Sequence, residues 1–178
     1  TSFLPLQFMT LSADGIHLEN EGKEVRSTTN DNPRFAIAGH PITTQDYPVW
    51  WKLKIKSAGN VNRYKCGFWL GIVANTALSF DSYEDQTATM WCSEKGRVIV
   101  DGKEQKDSDW CGFEDDDEVT FKLEAISRTL SMNISRFPLR WFSLTPSLSP
   151  AAEVFPHVSL VSKGECNFNT FYSIFSEA

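Results

Sequence analysis

EVTFKLEAISRTLSMNIS, residues 118–135, contains two runs in which apolar and polar side chains alternate. Successive side chains of a β-strand point to opposite faces, so Glu118–Ala125 and Leu130–Ser135 each predict a strand with one buried and one wet face. The short link Ile126–Arg128 joins the two runs into a hairpin. Period-two alternation of this kind dominates the rest of the chain, and it indicates an all-β protein.

Other segments extend the same pattern. Trp51–Lys56 alternates apolar side chains with lysines, whereas Gly67–Ala74 (GFWLGIVA) is apolar on both faces and predicts a central, doubly covered strand. Val98–Val100 runs into Asp101-Gly102, a dipeptide favoured in tight hairpin turns. Further strand candidates are Glu24–Thr28, Phe35–Ala38, Thr89–Cys92, His157–Val161 and Glu165–Tyr172. The spacing predicts a bent antiparallel β-sandwich, a concanavalin-like jelly roll of about ten to thirteen short strands.

The length and net charge of the chain exclude some classes of function. The 178 residues fit a single domain over 1–178, and a net charge of −6 argues against nucleic acid, which is usually met by a basic face. The longest apolar run, near Phe68–Ala74, is too short to cross a bilayer, so we expect no membrane partner. Because the chain begins at Thr1 rather than Met, we expect it to be a domain excised from a larger protein.

The cysteines indicate the cellular compartment in which the protein acts. Cys66, Cys92, Cys111 and Cys166 form no Cys-x-x-Cys pair, which disfavours zinc. Two disulfides remain open on an even count, but Cys66 and Cys166 lie in strand-like patterns that suit free apolar thiols. Reduced cysteines predict a cytoplasmic protein, with the nucleus as the alternative.

Six segments carry a resemblance to one known family, namely Leu11–Ile16, Trp50–Ile55, Gly67–Ile72, Asp117–Val119, Leu123–Met132 and Phe155–Leu160. In that order they resemble the L-S-x-D-G, Y-W-E-V-x-V, x-x-x-G-V/I, G-D-x-I/V, L-D-x-x-x-x-T-L-S-F and F-P-x-V-S motifs of the SPRY family. Asp116 stands where G-D-x-I has Gly, Glu124-Ala125 replaces the usual D-x, and the F-x-x-N-G that follows the hairpin in the family is missing. The resemblance implies a sandwich without cofactor that binds a peptide or protein through loops at one edge.

The resemblance also implies where binding residues lie. Tyr83 falls close to a loop Tyr that contacts the peptide in adaptor-type SPRY domains, and Ser162 stands where those adaptors keep the Trp of V-W-G. A different peptide motif is therefore expected. The predicted partner-binding residues are Asn62, Arg63, Tyr64, Tyr83, Trp141, Val161, Ser162, Lys163 and Gly164. The competing interpretation is that Tyr83, Trp141 and Phe142 only pack down their own loops.

The acidic run Glu114–Glu118 is the strongest catalytic candidate, because Glu-x-Asp-x-Glu occurs in some jelly-roll glycosidases. Its register places Glu118 on the wet face and the other carboxylates before the strand, so we interpret the run as a solvated acidic turn. A weak calcium site is the alternative. His17, His40 and His157 are scattered, and no nucleophile motif is present, so we predict no metal site and no enzyme.

The sequence therefore favours a protein- or peptide-binding module, of the kind that recognises substrates within a scaffold or ubiquitin-ligase adaptor. A carbohydrate-binding or glycosidase-like jelly roll is the second hypothesis, and a structural or oligomerisation domain is the third. The oligomeric state stays open.

Overall fold

The computed structural model describes residues 3–4, 6–10, 16–19, 21–27, 34–38, 41–43, 48–57, 67–78, 82–124, 127–149, 152–161 and 172–177. Over these residues the chain forms fifteen strands in two antiparallel sheets and one short 3-10 helix. Within the same ranges, no helix is long and apolar enough to cross a membrane.

The strands, in chain order, are β1 (Phe8–Thr10), β2 (Ile16–Glu19), β3 (Glu24–Ser27), β4 (Arg34–Ala38), β5 (Ile42–Thr43), β6 (Val49–Ser57), β7 (Gly67–Val73), β8 (Thr89–Cys92), β9 (Arg97–Val100), β10 (Lys103–Lys106), β11 (Glu118–Leu123), β12 (Leu130–Ile134), β13 (Trp141–Leu144), β14 (Glu153–Val161) and β15 (Tyr172–Glu177). The 3-10 helix is Ser82–Glu84. Sheet I has the order β1-β4-β14-β7-β8-β9-β10, with β5 paired to β14, and sheet II has the order β13-β12-β11-β6-β15-β3-β2.

The main core lies between the two sheets. In sheet II, β11 pairs with β12 on one side and with β6 on the other, which sets Phe121 opposite both Met132 and Trp51. The Trp51 and Phe121 rings stack with their centroids 5.2 Å apart. The alternation in residues 118–134 therefore places one face of the hairpin against sheet I, whose buried contributions include Phe68, Leu70, Ile72, Trp91 and Val98.

A second apolar layer covers the outer face of sheet I. Trp69, Met90 and Cys92 are buried there, and the segment between β7 and β8 folds over them. All seven residues of β7 are buried, which confirms the prediction that GFWLGIVA forms a doubly covered central strand. Gly71 permits the close pairing with β8, because a Cβ at this position would lie 2.1 Å from the carbonyl oxygen of Thr89.

Several sequence predictions hold at the level of elements. The hairpin β11–β12 is present, β8 spans Thr89–Cys92 as expected, and Asp101-Gly102 forms the β9–β10 turn with φ of 50° and 75°. Positive φ at both central residues is the geometry of a type I′ turn.

Other predictions need correction. The strand candidates named from the sequence omit β10 and β13, which the structure contains. β10 is an edge strand of four exposed polar residues, so it has no alternation to detect. The expected strand Glu165–Tyr172 lies outside the described residues except for Tyr172, where β15 (Tyr172–Glu177) begins.

Candidate binding surface

Several connections of the sandwich meet at one end, which we call the loop end. Val161 lies opposite Gly67, so the chain leaves β14 and enters β7 side by side. The turn after β8 joins them there, because the amide of Ser93 donates to the carbonyl of Phe68 at 2.8 Å.

The segment 107–117 connects the loop end to sheet II through hydrogen bonds and a ring contact. Phe113 donates its amide to the carbonyl of Ser93 at 3.1 Å, and its ring stacks on Phe68 at 5.7 Å. Farther along, Ile55 of β6 exchanges backbone hydrogen bonds with Asp116 and Asp117 at 2.7 and 2.9 Å. The end of β6 therefore belongs to the same end of the molecule as the start of β7.

The predicted site residues divide into three groups. Val161 is the last residue of β14 and lies at the loop end. Tyr83 and Trp141 lie on opposite outer faces of the sandwich, because Tyr83 packs on sheet I and Trp141 alternates with the buried Phe142 of sheet II. The remaining six lie outside the described residues, in the segments that precede Gly67 or follow Val161, and are Asn62, Arg63, Tyr64, Ser162, Lys163 and Gly164.

Tyr83 is half-buried and rests on a buried indole. Its ring lies parallel to that of Trp69, with 5.8 Å between the centroids and 3° between the planes. The guanidinium carbon of Arg97 lies 5.2 Å from the centroid of the same Trp69 ring. Stacking of this kind fixes the orientation of Tyr83 while one part of the side chain stays accessible. The two interpretations of Tyr83 are therefore compatible, since it packs down its own loop and still contributes to the surface.

Hydrogen bonds anchor the segment that carries Tyr83. The Asp85 carboxylate accepts from the Thr87 amide at 2.9 Å, from the Thr87 hydroxyl at 2.5 Å and from the Asn75 amide nitrogen at 2.9 Å. Partial burial raises the pKa of Asp85, but these hydrogen bonds outweigh it and leave the pKa below its usual value. The loop is thus held by an ionised carboxylate.

A Ser–His pair lies directly beneath Tyr83. The Ser82 hydroxyl oxygen is 2.8 Å from Nε2 of His157 and 3.1 Å from the hydroxyl oxygen of Ser159. All three side chains are buried, and burial lowers the pKa of His157 to about 3, so the imidazole is neutral at pH 7. Because the Ser82 hydroxyl has no exposure to solvent, the pair anchors the loop and offers no access to a substrate.

The described cysteines are free thiols. Cys92 is buried and Cys111 is half-buried. Burial raises the pKa of Cys92 to about 11, so it stays protonated and packs as an apolar side chain. Cys66 and Cys166 lie outside the described residues.

Solved structures with the same architecture identify the fold. The SPRY domain of human HERC1 superposes with a TM-score of 0.72 at 18% identity, over 98% of this chain and 96% of that one. The TRIM65 PSpry domain gives 0.69 at 10% identity, over 99% and 93% of the two chains. This chain has the SPRY-domain fold. The Emp47p carbohydrate recognition domain is also similar, with a TM-score of 0.63 at 12% identity over 99% and 89% of the chains. No protein-family model and no curated protein matches the sequence.

Within the SPRY fold, the acidic run is only partly the solvated turn that was expected. Glu114, Asp115, Asp116 and Glu118 are exposed, but Asp117 is 1% exposed and was misassigned. Asp117 forms a bidentate pair with Arg136, from Nε at 2.6 Å and from a terminal nitrogen at 3.0 Å. Its second oxygen also accepts the Glu114 amide at 2.7 Å, so it closes the turn. Sequence periodicity could not detect a partner nineteen residues away.

Backbone geometry explains the departure at Asp116. This residue has φ of 67°, in the left-handed region that Gly occupies without strain and Asp tolerates better than most side chains. A Gly at this position, as in the motif that residues 117–119 resemble, would also fit this backbone conformation. Over the described part of the chain, no three His, Cys, Asp or Glu side chains are arranged to hold a metal ion.

The outer face of sheet II in this SPRY fold carries an aromatic pair. Trp141 is 44% exposed, and its ring meets that of Trp50 edge-on at 5.8 Å. Phe142, the neighbour of Trp141, points inward and packs edge-on against Trp110 at 5.0 Å. Phe142 is therefore a core residue of β13, whereas Trp141 stays on the surface.

Sequence reasoning did not identify the two other exposed apolar residues of this region, Phe137 and Leu139. The available signal was the loss of F-x-x-N-G after β12, where the chain instead reads SRFPLRW from residue 135 to 141.

Proposed function

We propose that this domain is a protein- or peptide-binding module whose partner contacts the loop end and the adjoining outer face of sheet I, where Tyr83 packs on Trp69. The observation that carries the proposal is the Tyr83 ring, which is fixed against Trp69 and still accessible. Tyr is a frequent energetic anchor of interfaces, because a rigid aromatic ring loses little conformational entropy on binding.

The two paired strand ends Gly67 and Val161 support this location. Residues 58–66 lead into Gly67 and residues 162–171 follow Val161, and these two strand ends are paired. We propose that Arg63 and Lys163 of these segments also contact the partner. Ser162, in place of the Trp kept by related adaptors, favours a ligand different from theirs.

A peptide library tests the proposal directly. We would select a phage-displayed random 12-residue library on the immobilised 178-residue chain and measure the affinities of the enriched peptides by fluorescence anisotropy. We expect Tyr83→Ala and Arg63→Ala each to weaken binding at least about tenfold, since a central interface anchor is worth more than 1 kcal/mol. Met9→Ser, at an exposed apolar residue of β1, is the control and should change nothing.

Tyr83→Phe separates the two roles of the ring. It keeps the ring that stacks on Trp69, so binding that survives Tyr83→Phe but is lost in Tyr83→Ala would assign the contact to the ring. Affinities that survive both Tyr83→Ala and Arg63→Ala would rule out this location.

The wider setting is also part of the proposal. We infer a non-enzymatic domain that spans 1–178 and acts in the cytoplasm or nucleus, as the free thiols Cys92 and Cys111 favour. Substrate recognition within a scaffold or ubiquitin-ligase adaptor is one such role. The net charge of −6 supports a protein rather than a nucleic-acid or membrane partner.

Carbohydrate binding remains the second candidate, because the carbohydrate recognition domain of Emp47p shares the architecture and Trp141 presents an accessible ring. A glycan array distinguishes carbohydrate binding from protein or peptide binding. Micromolar binding of a glycan that is lost in Trp141→Ala, or hydrolysis that is lost in Glu114→Gln, would favour the second candidate over the first.

A further inference from the structure

The turn between β12 and β13 concentrates exposed apolar surface. Four large apolar side chains are exposed in the described part of the chain, and three of them lie within five residues, at Phe137 (38%), Leu139 (98%) and Trp141 (44%). We call these three residues the apolar tip. An exposed apolar cluster of this kind marks an interaction site more often than a chance feature of the surface.

The turn that carries the apolar tip is rigid. The side-chain nitrogen of Asn133 donates to three carbonyl oxygens, of Phe137 and Pro138 at 3.2 Å and of Arg140 at 2.7 Å. The backbone adds a bond from the Arg140 amide to the Phe137 carbonyl at 3.0 Å. The hydrogen bonds of the turn therefore keep Leu139 in solvent. A partner that binds it would lose little free energy to the ordering of this loop.

Acidic side chains lie along one side of the apolar tip. The amide of Ser135 bonds to the carbonyl of Glu118 at 2.9 Å, and a terminal nitrogen of Arg140 donates to the carbonyl of Asp109 at 3.0 Å. These contacts bring the apolar tip against the segment 109–118, which carries six carboxylates and no Lys or Arg. We call this segment the acidic collar.

The nearby cations do not balance the acidic collar. Arg136 is committed to Asp117 and Glu114, Arg140 lies 3.8 Å from Asp109, and Lys54 faces Glu118 across the β6–β11 register. Three cations therefore oppose six carboxylates, five of which are exposed. The surface is therefore negative on the side of the apolar tip that meets the acidic collar, whereas on the other side Trp141 borders Trp50 and the Lys122 ammonium above it.

We propose that the apolar tip is a docking element for a protein partner that offers an apolar pocket rimmed by Lys or Arg. Leu139 would fill the pocket, and the acidic collar would meet the basic rim. An anionic membrane would be repelled by the collar, and so would a second copy that presents the same collar across a two-fold axis. This proposal does not depend on Tyr83, whose ring lies on the other outer face.

Site-specific photocrosslinking tests the proposal. A benzoylphenylalanine at position 139 of the 178-residue chain would be irradiated in extracts of cells that express the chain, with position 9 as the matched exposed control. The crosslinked protein would be identified by mass spectrometry, expressed, and its Kd measured against the wild-type chain. We expect a position-139 crosslink in a region that contains Lys or Arg, and none at position 9.

Affinity measurements then test each part of the interface. Leu139→Ser should weaken binding at least about tenfold through lost apolar burial. It should leave the unfolding midpoint unchanged, because Leu139 is almost fully exposed. The triple variant Glu114→Gln, Asp115→Asn, Asp116→Asn should weaken binding, and so should a rise from 50 to 300 mM salt, since both act on the charge pairing.

Other outcomes would overturn the proposal. These are the absence of a specific crosslink, a crosslink only to a second copy, an affinity unaffected by Leu139→Ser, and binding to phosphatidylcholine–phosphatidylserine vesicles that Leu139→Ser abolishes. Tyr83→Ala, measured on the same partner, keeps the two proposals distinct. A loss in Tyr83→Ala alone would support recognition through Tyr83 and reject the apolar tip, and a loss in Leu139→Ser alone would do the reverse.

Discussion

Asp117 and Arg136 form the most buried ion pair of the described residues. We expect this pair to contribute more to the free energy of unfolding than the exposed charges nearby do. Replacing Arg136 with Leu leaves the Asp117 carboxylate, 1% exposed, without its bidentate partner. Removing one partner of a buried pair costs about 3–5 kcal/mol, so we expect a loss of about 3 kcal/mol, given that the Arg136 side chain is partly exposed. Urea denaturation measures it. Glu114→Gln, which removes only the exposed arm of the same network, should cost less than about 1 kcal/mol.

His157 should make the folded state sensitive to acid. Its pKa is about 3 in the folded protein because of burial, against 6.5 when exposed, so between these values the unfolded chain binds a proton that the folded chain does not. Stability then falls as pH decreases below 6.5, by up to about 1.4 kcal/mol per pH unit. Denaturation at pH 7, 6 and 5 should show a steeper loss for the wild type than for His157→Gln. Equal slopes would mean that His157 takes up its proton in the folded state.

At the scale of elements, two glycines are required for different reasons. Gly71 has no room for a Cβ, whereas Gly96 has room but a positive φ. Gly71 lies within β7, and an added Cβ would meet the Thr89 carbonyl oxygen at 2.1 Å and the Met90 Cα at 2.7 Å. Gly96 has φ of 80°, but its nearest atom to an added Cβ is 3.8 Å away. We expect Gly71→Ala to cost about 3 kcal/mol or to prevent folding, and Gly96→Ala about 1 kcal/mol. Thermal unfolding ranks the pair, and a larger loss at Gly96 would contradict the assigned packing of β7 on β8.

The elements also show where sequence periodicity succeeds and fails. The β11–β12 hairpin and β7 were predictable because their side chains divide between two environments that the alternation reports directly. β10 has only exposed polar side chains, and β13 carries an exposed Trp141 beside a buried Phe142, so neither pattern reveals a strand. Leu139 was missed for a related reason. Composition cannot tell an apolar residue that fills a core from one that a turn holds in solvent.

At the scale of the whole molecule, the last strand lies inside sheet II. β15 pairs with β6 on one side and with β3 on the other, so it joins the β2–β3 hairpin to the rest of the sheet. Non-local pairing of this kind is satisfied only when both distant parts of the chain are present. The sandwich therefore cannot be completed from residues 1–171.

Truncation tests this dependence. A chain that ends at residue 171 should lose its cooperative unfolding transition, measured by tryptophan fluorescence in urea, because β6 and β3 each lose a partner and the core is opened. A synthetic peptide of residues 171–178, added in excess, should restore part of the transition by supplying β15. Removal of residues 1–4 is the control, since Phe3 and Leu4 contact Trp50 and the edge of the core but belong to none of the fifteen strands. That variant should keep a cooperative transition at lower stability. If the chain of 171 residues unfolds as the full chain does, β15 is an accessory strand, and the integrity of sheet II must come from β6, β11 and β12 alone.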